Sequence, residues 1–213
     1  MKQKFYLRLF IVLVFLLPIM ANFAMNWINK NYSAPPILGP VTKEHGKVAY
    51  HTISDFSLKN QDNEEITRAD WNEKIVVADF FFTHCPSVCP KMTKNLKELQ
   101  SRLKDNNGFH IYSFSIDPER DSTARLKQYV QQQGIDNRNW DLLTGSKQEI
   151  YRLARNSFMI VATDGDGGPA DFIHSEKFVL IDKHKRIRGY YEGTKESEIE
   201  KLILDIKKLE HEN

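Results

Sequence analysis

Phe80 to Pro90 reads FFFTHCPSVCP and holds both cysteines of the chain, Cys85 and Cys89, separated by three residues. Before it runs IVVADFFF, Ile75 to Phe82, a β-branched and aromatic stretch long enough for a buried strand. After it, Met92, Leu96, Leu99 and Leu103 recur with helical spacing, so the thiols fall at a strand-to-helix junction. Pro86 and Pro90 lack the N–H that a first helical turn cannot pair anyway, and the remaining unpaired N–H groups favour an anion. A thiolate is such an anion, so the pair is expected to have lowered pKa values and to act as a nucleophile or as a ligand for a soft metal.

Spacing bears on that choice. On a regular helix, positions i and i+4 hold their Cβ atoms about 5–6 Å apart, whereas a disulfide wants about 3.8 Å. Chelation therefore needs less distortion. Both uses stay open, because Pro90 biases Cys89 away from α geometry and the pair can straddle loop and helix. A thioredoxin-type redox motif has two intervening residues rather than three.

The chain has 213 residues, 41% of them hydrophobic and 27% charged, enough for one globular domain with a core of its own. A net charge of +2 gives no reason to expect a nucleic-acid partner. The N-terminus is set apart. Lys2, Lys4 and Arg8 precede LFIVLVFLLPIMANFAM, Leu9 to Met25, and positive residues ahead of an uncharged apolar run read as a signal or membrane anchor. The run is near the lower length for a spanning helix. No small-x-small cleavage triplet follows it, since Asn22 and Phe23 interrupt Ala21 and Ala24, which favours a retained anchor over residues 1–25. Either way the domain is exported to a compartment where thiols oxidise unless something reduces them.

Residues 26–50 are polar, with Pro35, Pro36, Gly39 and Pro40, and read as a tether. From 51 to 213 the pattern is that of a folded domain. His51 to Leu58 and Glu64 to Thr67 flank a hairpin turn at Asn60 to Asn63, and Arg68 to Trp71 leads into the strand before the cysteines. Helices are expected over Ser87 to Lys104, Ser122 to Gln133 with Gly134 ending it, Lys147 to Arg155 and Glu196 to Glu210. Strands are expected at Phe109 to Ile116, Leu142 to Leu143, Phe178 to Ile181 and Arg186 to Tyr191. The alternation implies an α/β fold: a thioredoxin-like central mixed sheet with an extra N-terminal β-hairpin, preceded by one membrane-anchor helix.

The order hairpin, strand, CPSVCP, helix, strand, SIDPERD (Ser115 to Asp121) and a late His174-Ser175 before a second hairpin resembles the Sco (SenC) family of membrane-anchored copper chaperones for cytochrome c oxidase assembly. The resemblance spans about Ser54 to Thr194. It implies that Cys85, Cys89 and His174 are copper ligands and that Asp117 stands beside the metal loop. One position departs from the pattern: Ile173 stands where many members carry aspartate, with Asp171 nearby. The resemblance further implies delivery to the dinuclear CuA site in cytochrome c oxidase subunit II, an upstream copper donor protein, and a single-pass protein of the bacterial inner membrane with its domain on the periplasmic side.

Two thiolates and an imidazole suit Cu(I) in a three-coordinate site and can hold Cu(II) when a further donor joins. Zinc in a structural site wants a fourth protein ligand. Seven histidines occur, and spacing alone assigns none of them to a metal. Asp164 to Gly168, DGDGG, lacks the downstream glutamate of a calcium loop and reads as a plain loop. Met92 belongs with the apolar stripe, and Lys207 and Lys208 with a solvated helix face. Asp117 reads equally as a turn or helix cap. The expected protein is a metallochaperone rather than a turnover enzyme, with transfer by ligand exchange at His174. A second reading is a thiol-disulfide reductase that keeps the subunit II cysteines reduced for metallation, which needs Cys85 and Cys89 but not His174. A peroxidase of the thioredoxin superfamily fits a close cysteine pair with a distant histidine less well.

Overall fold

The computed structural model describes residues 12, 14–25, 33–44, 46–160 and 175–212, in two compact units divided between Ala34 and Pro35. In the first unit residues 14–25 form helix α1, whose Phe15, Leu17, Ile19, Met20 and Phe23 side chains are all exposed. Among the described residues no helix is long and apolar enough to cross a membrane. The expected anchor, Leu9 to Met25, lies partly outside them.

The second unit opens with two small antiparallel hairpins, β1 (Val41–Glu44) with β2 (Lys47–Tyr50), and β3 (Ser57–Lys59) with β4 (Glu65–Thr67). A 3-10 turn, Arg68–Trp71, is closed by a capping box between Thr67 and Asp70, in which hydroxyl and carboxylate each satisfy a backbone N–H. Then follow β5 (Ile75–Phe81), α2 (Val88–Arg102), β6 (Phe109–Ser115), α3 (Thr123–Gln133), β7 (Trp140–Leu143), α4 (Lys147–Arg152), β8 (Lys177–Ile181), β9 (Ile187–Glu192) and α5 (Glu196–Glu210). The central sheet has the order β7-β6-β5-β8-β9. Strands β5, β6 and β7 are parallel and β8 and β9 antiparallel to their neighbours, so the expected mixed sheet is present.

Strand β5 lies in the centre and is buried along its whole length. Its alternate residues serve two layers. Val76, Ala78 and Phe80 join Trp71, Tyr112, Phe114 and Phe158 in one apolar cluster, with Phe80 stacked on Phe114 at 5.0 Å. Ile75, Val77, Asp79 and Phe81 face the other way, where Phe81 meets Tyr129 of α3 at 5.6 Å. Met92, Leu96 and Leu99 of α2 are buried, so the stripe read from the sequence is core. Helix α3 begins where Ser122 Oγ accepts from Arg125 N and ends at Gly134, whose φ of 60° takes the left-handed conformation that glycine adopts freely.

Two segments differ from the sequence expectation. The stretch read as tether is tied to the fold from Pro35 onward. The buried Arg188 guanidinium donates to the Pro35 carbonyl, with Nε at 2.9 Å, Leu38 bridges to Ile187, and residues 41–50 form the first hairpin. The helix expected over Lys147 to Arg155 is α-helical only to Arg152 and continues as a π-helical turn, Leu153–Ser157. There the Ser157 carbonyl accepts from His51 Nε2 at 2.8 Å and its hydroxyl pairs with Ser54, contacts made by residues a hundred positions away.

Candidate metal centre

Strand β5 releases the chain at Phe81, and after six intervening residues α2 begins at Val88 with Ser87 at its N-cap position. Ser87 makes no side-chain cap bond. The Cys85 sulfur stands in for it, accepting the Cys89 N–H at 3.3 Å. A sulfur at this place meets the unpaired donors of a first helical turn, where negative charge is favoured. Both cysteines are free thiols, Cys85 half-buried and Cys89 buried with 5% of its surface exposed.

The two thiols do not share one lowered pKa, as the sequence reading expects. Burial pushes Cys85 up, but backbone donors at Cys89, Ser87 and Val88 outweigh it and hold this thiol below its ordinary value. Cys89 lies one turn deeper. Burial drives its thiol well above the ordinary value, a backbone donor at Phe82 only partly offsets this, and the charges of Cys85 and Asp79 add to the rise. The first cysteine is therefore the readier thiolate, and the second keeps its proton until something replaces it.

The loop that carries Cys85 is tied down from the SIDPERD segment. Asp121, fully buried, accepts from Thr83 N at 3.0 Å, Thr83 Oγ1 at 2.6 Å and Ser115 Oγ at 2.6 Å. Arg125 Nε donates to the same Thr83 hydroxyl at 3.1 Å. The sequence reading takes Asp121 as the last residue of the SIDPERD segment. The signal that points further is its place in a motif directly after β6, the parallel neighbour of β5.

Asp117 stands in the turn that follows β6, facing His84 of the cysteine loop. Its carbonyl accepts from Arg120 N and Asp121 N in a turn, and its Oδ2 lies 3.2 Å from His84 Nε2. Arg120 NH1 approaches the same nitrogen at 3.0 Å. With a proton on Nε2 the imidazole donates to Asp117, and without one it accepts from Arg120. His84, next to Cys85 in sequence, is thereby engaged on the loop surface.

A second buried carboxylate escapes the sequence reading altogether. Asp79 of β5, 2% exposed, accepts one hydroxyl bond from Ser113 Oγ at 2.5 Å, and Trp140 Nε1 donates to that same hydroxyl at 2.9 Å. Burial raises its pKa to about 7, against the pull of Ser113. Its position in an apolar strand run gives no warning of a titrating group.

His174 and Asp171 lie outside the described residues, as does the DGDGG loop. Among the described residues no three His, Cys, Asp or Glu side chains form a metal-holding group. The chain on either side is firmly placed. Before it, Tyr190 Oη donates to the Phe158 carbonyl at 2.9 Å. After it, Gly193 N donates to the Glu176 carbonyl at 2.7 Å and Asn95 Nδ2 to the Gly193 carbonyl at 2.7 Å. Strand β8 runs antiparallel to β5 with Val179 opposite Ala78, so β8 enters the sheet at the end of β5 from which the cysteine loop leaves.

The SCO1/SenC family model matches residues 44–211. The SCO1 homologue of Bacillus subtilis is 32% identical over 159 residues, 74% of this chain and 82% of that protein. The solved structure of BsSco, described as a Sco-family cytochrome c oxidase assembly protein with a disulfide switch, has a TM-score of 0.66 at 31% identity, covering 76% of this chain and 95% of the other. ScoI of Arabidopsis thaliana, solved with copper bound, has a TM-score of 0.59 at 26% identity over 72% of this chain and 97% of the other. With a family match across most of its length and the cysteine loop, Asp121 anchor and sheet order in place, this chain belongs to the SCO1/SenC family.

Proposed function

We propose that the protein is a membrane-anchored metallochaperone that carries one copper ion as cargo on Cys85, Cys89 and His174 and delivers it to the CuA site of cytochrome c oxidase subunit II. The observation that carries this is the meeting of two segments at one end of the sheet. Cys89 lies in the first turn of α2 and Cys85 on the loop just ahead of it, its sulfur accepting the Cys89 N–H, and β8, whose lead-in residue Ser175 directly follows His174, enters at that same end of β5. Likeness to a relative solved with copper supports the choice of metal. So does the donor chemistry, since thiolate and imidazole suit Cu(I).

The chain's own groups have defined tasks. Cys85 offers the ready thiolate, and the backbone donors around it leave it paired before metal arrives. Cys89 must release its proton to bind, so loading releases protons and tightens as pH rises. Asp121 holds the loop at fixed geometry. His174, on the chain entering β8 rather than at the rigid junction, is the ligand an incoming thiolate or imidazole displaces first. Lys2, Lys4 and Arg8 ahead of Leu9 to Met25 favour a domain on the extracytoplasmic side, and the lack of a small-x-small triplet after that run favours a retained anchor.

The split thiols favour a second reading, reduction of the subunit II disulfide before metallation. Cys85 below and Cys89 above the ordinary value is the division between an attacking and a resolving thiol. His174→Ala separates the two. A reductase keeps its exchange chemistry, whereas a copper carrier loses Cu(II) binding, weakens in Cu(I) retention and fails to support oxidase assembly at limiting copper, as Cys85→Ala does. Full oxidase activity of His174→Ala at low copper would hand the function to the reductase reading.

A further inference from the structure

The end of the sheet opposite the cysteines carries a polar cavity of about 260 Å³ lined by Lys74, Lys104, Arg138, His110, Asn139 and neighbouring loop residues. Lys74 directly precedes β5 and the cysteine loop follows it, so the length of a seven-residue strand, about 20 Å, separates the two ends. No carboxylate lines this cavity. Three carboxylates bond to its lining residues and are engaged there: Asp136 holds Arg138 at 2.5 Å, Asp141 accepts from His110 Nε2 at 2.8 Å, and Glu210 accepts from Asn106 Nδ2. Lys74 and Lys104 pair with no carboxylate among the described residues.

The amides in the lining bring acceptors as well as donors: Asn106 Oδ1 takes the Gly108 N–H at 2.9 Å, and Asn107 adds an amide of its own. Asn139 Oδ1 already accepts from Gln100 Nε2 at 2.7 Å, which leaves its NH2 group for the cavity. His110 is 8% exposed and stacked on Tyr112 at 4.4 Å. With Nε2 given to Asp141, its Nδ1 has no protein partner among the described residues, and it is not an enclosed orphan atom either. Two ammonium groups without a carboxylate partner and an amide NH2 thus line one space, beside an imidazole edge whose Nδ1 is a lone pair while Nε2 holds the proton. Charge-assisted bonds to an oxyanion are the contacts such a donor set makes best, and the cavity has room for a phosphate group with an ester substituent.

We propose that this cavity binds a phosphate-type oxyanion between Lys74 and Lys104, with the Asn139 amide NH2 completing the contacts and the His110 ring at the cavity wall as the reporter of occupancy. The phosphate comes either from a lipid headgroup or from a soluble phosphate, and the donor set recognises what the two share. The site needs neither copper nor His174, so its test is independent of the chaperone reading.

The full chain in nanodiscs, observed through the His110 ring resonances, provides that test. In phosphatidylcholine nanodiscs, inorganic phosphate up to about 10 mM should shift His110 saturably, with matched chloride giving no shift. Lys74→Ala with Lys104→Ala should weaken the response about tenfold or more while leaving Cu(I) stoichiometry unchanged. If the double variant is unstable, Lys104→Ala alone, at an exposed position, should still weaken it severalfold. A shift in phosphatidylglycerol nanodiscs without added phosphate identifies the lipid headgroup as the source, and a shift only with free phosphate identifies the soluble ion. Absence of a saturable shift under all these conditions, or equal affinity in the variants, overturns the proposal.

Discussion

The two faces of the central sheet each bury a carboxylate, and the two behave oppositely. On the face of β5 that also carries Phe81, Asp79 has one hydroxyl partner and is pushed up to about 7 by burial. On the other face, level with Ala78 and Tyr112 but out on β7, burial also pushes Asp141 up, but His110, Asn60 Nδ2 at 3.0 Å and Gln61 Nε2 at 3.2 Å pull it below the usual carboxylate range. Burial is common to both, so the partners decide the sign. Asp141 is a fully paired polar anchor joining the β3–β4 hairpin to β6 and β7. Asp79 is an under-paired acid whose charge bears on the Cys89 thiol.

Removing the carboxylate of Asp121 should have the largest effect on stability. Asp121→Ala leaves the Thr83 N–H and two hydroxyls without their acceptor, with an expected loss of about 3–5 kcal/mol in denaturant unfolding. It should also loosen the Cys85 loop, read as faster alkylation of Cys85. Unchanged alkylation would mean that the loop is held by something else.

Asp79→Asn sharpens the contrast through pH. With its native pKa raised from 3.8 to about 7, the wild-type protein loses stability as pH climbs from about 4 to about 7, because the unfolded chain sheds a proton that the native state retains. Above that window the penalty is complete. The asparagine variant should therefore be more stable by about 2–4 kcal/mol at pH 8 and equal to wild type near pH 3. A difference that does not change with pH would break the comparison.

Asp141→Asn should act in the opposite direction. A lowered native pKa contributes stability above the ordinary carboxylate range, lost as pH falls through the native value. The substitution should cost about 1–3 kcal/mol at neutral pH and progressively less in acid. The smallest expected effect is Ser122→Ala, about 1 kcal/mol for one cap bond to Arg125 N, with no change in the pH dependence set by Asp79 and Asp141.

The same contrast explains what was legible in the sequence. The strand-to-helix cysteine junction, the Gly134 stop and the bounds of α5 were readable because each rests on local periodicity or backbone chemistry. The attachment of residues 35–38 was not, since it depends on Arg188 and Ile187. Nor was the division of the thiols. Sequence places both at a helix start, and only depth within the fold separates Cys85 from Cys89. Asp121 and Asp79 were hidden for a similar reason: their partners Thr83, Ser115 and Ser113 come from neighbouring strands and loops, which a linear pattern does not bring together. His174 was named from the resemblance alone and lies outside the described residues.

The central claim is that one copper ion is held by two sulfurs from the α2 junction and one imidazole from the chain entering β8. X-ray absorption at the copper edge of the Cu(I)-loaded full chain tests it most directly. The account expects two sulfur donors and one nitrogen donor per copper, with the nitrogen lost in His174→Ala and all stoichiometric binding lost in Cys85→Ala or Cys89→Ala. A sulfur-only site in the wild type, or a nitrogen donor that survives His174→Ala, would contradict it.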